Sequence, residues 1–501
     1  MYPIDFFWRS VRAFPSRAAV IYPGGTLTFT ELAQRVVRRA AALRQQDPAL
    51  RTHVAIGAAN TVDHLVTILA TLAAGKIWIP LNPRNGNSEL HRMIEFVSPA
   101  LVVADHSMQE RLAQFNPTPM EPLERDDASA SDLPLGPLQR ANVPLGDTQA
   151  IKFTGGTTGV PKGVQQPYRA WNTNIITTIN ELRLGPADRY LVSAPLTHGT
   201  STYMLPIFAM GGALVFPEDA KAPGLLDTIQ KHRCTVFFAP PTLVITAMEE
   251  QRRSPRDLSS LRAIVYGAAP MRPSQITDAQ NVFGPIIATS YGQTEAPQII
   301  AFLRPEHMSG DALASVGYPT MLTKVAILDD DGNVLPEGET GEISVRGDLL
   351  MSGYLNAPDV TSRTIVDGWL RTGDVGVLND GLLFIRDRSK DVIITGGFNV
   401  YPSDLESVLA QHPAVLECAV VGVQDEKWGE AVHAAVQTRE GANLDTAELA
   451  ALVRKELGPV KVPKGFHAFD ALPRTAVGKI LKTAVRDEIA QRLGGGDTSK
   501  A

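Results

Sequence analysis

Between residues 30 and 105 the chain switches repeatedly between two hydrophobic periods. "TELAQRVVRRAAAL" (30–43) spaces its apolar residues for one helix face, with Thr30 at the cap and Glu31 beside it. "HVAIGAAN" reads as a short buried strand, "TVDHLVTILATLAAG" as a helix closed by Gly75, "KIWIPLNP" as a strand ended by proline, and "ALVVAD" as another strand. Strands alternating with helices predict a parallel α/β sheet covered on both faces. From Phe115 to Leu145 proline and acidic residues break the pattern, which reads as a surface loop. The alternation resumes at "YLVSAP", "TVFFAPP" and "AIVYGAAP". After about residue 310 its character changes. "KVAILDDDGNVLPEGETGEISVRG" has strand runs separated by Asp-Gly and Glu-Gly turns, predicting hairpins or a small barrel. A compact tail domain follows from about Asp391, with helix "SDLESVLAQH" and strand "AVLECAVVGV"; the final "GGGDTSKA" reads as disordered.

Composition narrows the class. A chain of 501 residues exceeds what one core needs and predicts two or three domains. Hydrophobic residues at 44% and charged residues at 20% are the balance of a globular protein. Lys+Arg total 47 against Asp+Glu 53, a net charge of -6, so no basic excess points to nucleic acid or an anionic membrane. Cys234 and Cys418 lie too far apart in sequence to suggest a disulfide framework or metal cluster, which fits a reduced, cytoplasmic setting. "MYPIDFFWRSVRAFPSR" scatters charges and lacks the long apolar core of a signal peptide. The longest uncharged run, Leu191 to Pro217, holds His198 and interrupting prolines, and reads as strand–loop–helix–strand rather than a membrane span.

The chemistry starts at "FTGGTTGVPKGV", Phe153 to Val164. Glycines let backbone N–H groups converge on a ligand, threonine hydroxyls add donors, and Lys162 adds a mobile positive charge. That is what a polyphosphate needs. The order differs from a Walker A loop, because no Gly-Lys-Ser/Thr follows at the required spacing. Taken alone, the stretch also reads as an ordinary surface turn.

Four further segments follow: "YGQTEA" (291–296), "GWLRTGD" (368–374), "DRSKDVIITGGFNVYPSDLE" (387–406) and "PRTAVGK" (473–479). With the loop, and in this order, they resemble the acyl-adenylate-forming superfamily of acyl-CoA synthetases, peptide-synthetase adenylation domains and beetle luciferases, over nearly the whole chain. The resemblance implies an α/β protein. A large N-terminal domain, 1–388, would hold two α/β subdomains plus a β-barrel. A small mobile α+β C-terminal domain, 389–501, would rotate about a hinge at 387–391. It also implies two half-reactions: a carboxylate attacks the α-phosphate of ATP, and a thiol then displaces AMP.

Residue roles are carried over position by position. Thr154, Gly155, Gly156, Thr157, Thr158, Gly159 and Lys162 would hold the β- and γ-phosphates. Gly155 stands where the family usually has serine, which loosens one contact and spares the backbone donors. Gly267, Ala268 and Ala269 would lie along the adenine and Tyr291 would stack on it, with Gly292 and Gln293 beside it. Thr294 would reach the α-phosphate; Glu295, with a weaker contribution from Thr158, would hold Mg²⁺. Asp374 would accept both ribose hydroxyls, supported by Arg388. Lys390 falls at the hinge. Gly396 and Gly397 would leave room for the thiol arm of coenzyme A, and lysines near 427–430 and 461–464 would meet its phosphates. Lys479 would enter the site for adenylation and steady the transition state. His198, catalytic or gating, would sit at an acid pocket lined by Thr200, Ser201 and Tyr203.

The expected substrates are ATP, a carboxylic acid and coenzyme A, with Mg²⁺. An amino-acid adenylating relative would need a pocket carboxylate, and "LTHGTST" offers none, so the acid is expected to have a neutral fatty or aromatic tail. Enzymes that load an acyl carrier protein share every motif, and the sequence leaves that acceptor open. A luciferase-like oxygenase would reuse the same site, and a non-catalytic nucleotide-binding regulator would be expected to lose Lys479 or Glu295.

Overall fold

Apolar strands that occur singly between helices bury both faces only if the helices pack on both sides of one sheet, and this constraint organises most of the chain. The computed structural model describes residues 1–113, 120–123, 136, 142–154, 162–388, 391–395, 398–425, 428–474 and 480–494. Two compact units interleave along the sequence. One is Met1–Val325, Ser344–Leu370 and Gly381–Leu383; the other is Ala326–Ile343, Arg371–Asp380 and Phe384–Ala501.

The first unit carries two large sheets. The nine-stranded sheet has a parallel centre, running Ile287–Gln293, Ala263–Tyr266, Val236–Ala239, Arg189–Leu191, Ala213–Val215 and Ala18–Tyr22. The seven-stranded sheet runs Gly353–Tyr354, Lys162–Pro167, Thr148–Thr154, Ile77–Leu81, His53–Gly57, Leu101–Ala104 and Met120–Pro122. Its last five strands are mutually parallel. The segment expected to be an open loop, 115–145, thus contributes a strand, because Met120 pairs with Val102. The run Leu191–Pro217 forms strand, loop, helix Gly199–Ala209 and strand, as expected. Phe7 and Trp8 of helix Pro3–Ala13 are buried, and Phe7, Phe29 and Phe208 form an aromatic cluster with centroids 5.7–6.4 Å apart.

Helix Phe29–Gln46 starts two residues earlier than its pattern suggests. Thr28, not Thr30, is the cap: its Oγ1 accepts from the Glu31 amide at 3.2 Å, and the Glu31 carboxylate accepts from the Thr28 amide at 2.7 Å. Gly75 closes the next helix at φ +73°, a conformation that favours glycine.

A third sheet joins Lys324–Leu328, Thr340–Arg346, Trp369–Asn379, Ile365–Val366 and Leu382–Arg388. Its Asp-Gly turn closes with Asp329 N–H donating to Asn333 O, and Gly332 sits at φ +88°. In the second unit, strands Val415–Asp425 and Gly429–Thr438 pair antiparallel, and Gly465–Ala468 adds in parallel. Val420, Val432 and Val436 belong to one core cluster and Val421 and Ala435 to another, so this sheet is covered on both faces. Helices Pro402–Leu409, Thr446–Leu457 and Lys482–Gly494 accompany it. Among the described residues, no helix is long and apolar enough to cross a membrane.

Candidate active site

Segments distant in sequence converge because parallel strands leave their connections at one edge. Gly267 to Pro270 follow strand Ala263–Tyr266, the Tyr291-Gly292 pair ends strand Ile287–Gln293, and the His198 loop follows strand Arg189–Leu191. All three strands are parallel members of the nine-stranded sheet, and the carboxyl edge of such a sheet is where ligands bind. Gly267 must be small there: a Cβ would lie 2.9 Å from Ser290 O and 3.0 Å from Phe238. Ala268 takes φ +68°, an unfavourable backbone for alanine. Tyr291 is buried.

The glycine-threonine loop belongs to the seven-stranded sheet. Thr154 ends one strand and Lys162 opens the next, and the two residues face each other across an antiparallel pair. Residues 155–161, including Gly155, Gly156, Thr157, Thr158 and Gly159, lie outside the described residues. The adjoining strand places Tyr354 beside the hairpin, paired with Val164. Lys162 Nζ lies 5.4 Å from the centroid of the Tyr354 ring, within cation–π range. The Tyr354 hydroxyl donates to Glu295 Oε1 at 2.8 Å. Burial, and then the Glu295 charge, raise the Tyr354 pKa, so the phenol remains a donor. Gln166, from the same strand as Lys162, donates to the Thr294 carbonyl at 2.9 Å and is braced by Trp171 at 3.2 Å. Lys162, Thr294 and Glu295 are therefore gathered by Tyr354 and Gln166.

The residues expected to line an acid pocket sit at the start of helix Gly199–Ala209. His198 is exposed, with backbone φ −130°, ψ −104°, and its Nδ1 lies 2.9 Å from Thr197 Oγ1. Thr200 is fully buried and donates to Ala194 O at 2.6 Å. Ser201 donates to His198 O at 2.6 Å. Tyr203 stacks on Tyr190 at 5.1 Å, and its hydroxyl accepts from Gln298 Nε2 at 3.0 Å. Gln298 also donates to Ser290 Oγ at 3.2 Å and accepts from Thr202 at 3.0 Å.

Three residues here escape sequence reasoning. Tyr354 and Gln298 carry no motif; Gln298 holds φ +70°, and a Cβ on Gly292 would lie 2.4 Å from its carbonyl carbon. Lys152 had a visible signal, a charge inside the apolar run "AIKFT". The neutral-tail expectation rests on the His198 loop; Lys152, a buried charge from another element, reaches Ser201 of the following helix at 2.8 Å.

In the second unit, Asp374 is buried and Arg388 Nε meets its Oδ1 at 2.7 Å. Thr372 Oγ1 accepts from the Asp374 amide at 3.1 Å, fixing the loop. Lys461 pairs with Asp404 at 3.0 Å, and Lys464 lies 4.9 Å over Trp428. Lys390, Gly396, Gly397 and Lys479 lie outside the described residues. The chain flanking Lys479 is tied by an antiparallel bridge between Arg474 and Ile480.

Comparison with known proteins bears on this arrangement. A family model described as AMP-binding enzyme matches residues 7–355, and one described as AMP-binding enzyme C-terminal domain matches residues 404–479. The medium/long-chain-fatty-acid–CoA ligase FadD8 of Mycobacterium tuberculosis is 40% identical over 366 residues, 72% of this chain and 64% of that protein, so the match spans less than two thirds of that relative. Feruloyl-CoA synthase from an Amycolatopsis species is 34% identical over 486 residues, 95% of this chain and 97% of that protein. The solved structure of amide bond synthetase McbA from Marinactinospora thermotolerans matches with a TM-score of 0.90 and 34% identity, covering 97% of this chain and 99% of that one. With a family model spanning the hairpin, the Tyr291 segment and Tyr354, and a second one in the tail, the chain belongs to the AMP-binding enzymes.

Proposed function

We propose that the protein is an AMP-forming acid:CoA ligase. In the first step an acid carboxylate oxygen bonds to the α-phosphorus of ATP and pyrophosphate leaves. In the second the thiol of coenzyme A bonds to the acyl carbon, and AMP leaves with the C–O bond electrons. The observation that carries this reading is the gathering of Lys162, Thr294 and Glu295 around Tyr354 and Gln166, next to the hairpin that holds the glycine-threonine loop. Cation, hydroxyl and carboxylate there match a polyphosphate with its counter-ion.

The residues fit a Mg²⁺ ion bound mainly by nucleotide. Glu295 supplies a hard oxygen, held in place through Oε1 by Tyr354. Among the described residues, no group of three or more His, Cys, Asp or Glu could hold a metal without the nucleotide. Magnesium characteristically takes one or two carboxylates plus phosphate oxygens. Glu295 and Thr158 would hold it, and its charge would offset that of the phosphates. Lys162 steadies the departing pyrophosphate, and the Tyr354 hydroxyl orients the Glu295 carboxylate. Asp374, oriented by Arg388, receives the ribose hydroxyls. Residues 389–501 act as the mobile domain, hinged at Lys390, and bring Lys479 to the reacting carboxylate. Gly396 and Gly397 flank the thiol arm in the second step.

The test is AMP release by the purified protein with Mg-ATP over a panel of fatty, benzoate-type and cinnamate-type acids and amino acids, with and without coenzyme A. Release that requires both an acid and coenzyme A is the expected outcome. Acid-dependent pyrophosphate exchange indifferent to coenzyme A would move the acceptor to an acyl carrier protein. No acid-dependent signal at all would overturn the ligase reading.

A further inference from the structure

Lys152 is buried, and among the described residues its amine has one hydrogen-bond acceptor, Ser201 Oγ at 2.8 Å. The rest of its surroundings are aromatic: Nζ lies 5.1 Å from the centroid of Trp78 and 5.6 Å from that of Trp171. An ammonium has three donors. Indole faces attract a cation but accept weakly, so two N–H groups stand in an apolar setting with no oxygen partner among the described residues. Two neighbouring elements carry further unsatisfied atoms: among the described residues, Trp78 Nε1, in the ring that Lys152 faces, and Asn174 Nδ2, one helix turn beyond Trp171, are buried without an acceptor. Buried polar groups in native proteins are ordinarily satisfied, so these atoms ask for an oxygen that the described residues do not supply.

The position of Lys152 says which molecule brings that oxygen. Lys152 and Thr154 are two apart on strand Thr148–Thr154, so both side chains project from the same sheet face, about 7 Å apart along the strand. Thr154 opens the glycine-threonine loop. Ser201, the acceptor of Lys152, lies on the helix that also carries Thr200 and Tyr203. On the ligase reading, an acid whose carboxylate is held near the loop would reach Lys152 if its tail runs toward helix Gly199–Ala209.

We propose that the tail of the acid carries an oxygen acceptor received by the Lys152 amine, which makes Lys152 a specificity-determining residue. The proposal rests on the ligase reading above and narrows its substrate class. A carbonyl, hydroxyl or carboxylate oxygen shares this chemistry, and the test separates them.

The experiment measures kcat/KM for pyrophosphate release over sets of acids matched in length: methyl-ended, ω-hydroxy, ω-oxo and ω-carboxy chains, and cinnamates with and without a ring hydroxyl. Wild type is expected to favour one acceptor-tailed class over its methyl-ended match by about tenfold or more, the size of one hydrogen bond to a charged donor. Lys152→Met is expected to erase that preference while changing methyl-ended acids by less than about threefold. A purely structural Lys152 would lower every acid alike, and that outcome overturns the proposal, as does a wild type with no tail preference. If Lys152→Met does not fold, wild-type selectivity decides alone. A parallel titration uses sulfamoyl-adenosine analogues of the same acids and needs no turnover. It reads tail preference even if no acid is activated, the result that would overturn the ligase reading separately.

Discussion

Lys76 and Lys152 are both buried lysines in the seven-stranded-sheet region, and their surroundings are opposite in kind. Lys76 Nζ is enclosed by oxygen: Asp47 O at 2.6 Å, Asp47 Oδ2 at 2.7 Å, Ala49 O at 2.5 Å and Thr52 Oγ1 at 2.9 Å. Lys152 has one neutral hydroxyl and two indoles. Burial lowers the pKa of both amines, and at Lys76 Asp47 opposes the shift. Nothing comparable opposes it at Lys152, whose amine is pulled down to about 7. A buried cation with a full set of acceptors is a structural clasp. One without them awaits a partner, or sheds its proton.

The comparison can be broken or sharpened, beginning with a third lysine expected to act rather than to hold. Lys479→Ala is expected to lower adenylation by about 10²–10³-fold, the scale of losing one transition-state donor, while thiolysis of supplied acyl-AMP persists. Equal loss of both steps, measured separately, would remove Lys479 from the chemistry.

Lys76→Met should destabilise the fold by about 3 kcal/mol, because it leaves the Asp47 carboxylate without its partner. The denaturation midpoint checks this; a change under about 1 kcal/mol would deny the clasp.

Lys152→Met should raise stability by about 1 kcal/mol at pH 6, since it removes a poorly paired buried cation. The sign with pH is definite. The Lys152 pKa is about 7 folded and near 10.4 unfolded, so between those values the unfolded chain binds more protons. Wild-type stability therefore rises with pH across that window, and the penalty is full below pH 7. The advantage of Lys152→Met should shrink as pH is raised; parallel pH curves for the two proteins would contradict the assignment.

A comparable effect is expected of Ser201→Ala, which loses about 0.5–1.5 kcal/mol for each of its two hydrogen bonds, the one accepted from Lys152 and the one donated to His198 O. In a Lys152→Met background the loss should fall further, and a double-mutant cycle reads the difference.

Much of the fold was legible along the chain. Helix Val62–Ala73 and its Gly75 stop, strands His53–Gly57 and Ala263–Tyr266, and the Asp-Gly turn at 329–333 follow from period and turn chemistry, which act within a few residues. The misreadings were local competitions. Thr28 and Thr30 are both credible caps until Glu31 selects Thr28, and Met120–Pro122 becomes a strand only because Leu101–Ala104 offers it an edge.

The sequence by itself determined the family, through motifs whose order and spacing survive without coordinates, and it named Lys162, Thr294, Glu295, Asp374 and Arg388. Tertiary structure alone decided which of these meet. It set Tyr354 against Glu295, Gln166 against Thr294, Arg388 against Asp374, and Lys152 between two tryptophans and Ser201. The physical reason is range. Propensity and periodicity act over a few residues, whereas burial and side-chain hydrogen bonds between the two sheets join positions 128 residues apart, as Gln166 and Thr294 are.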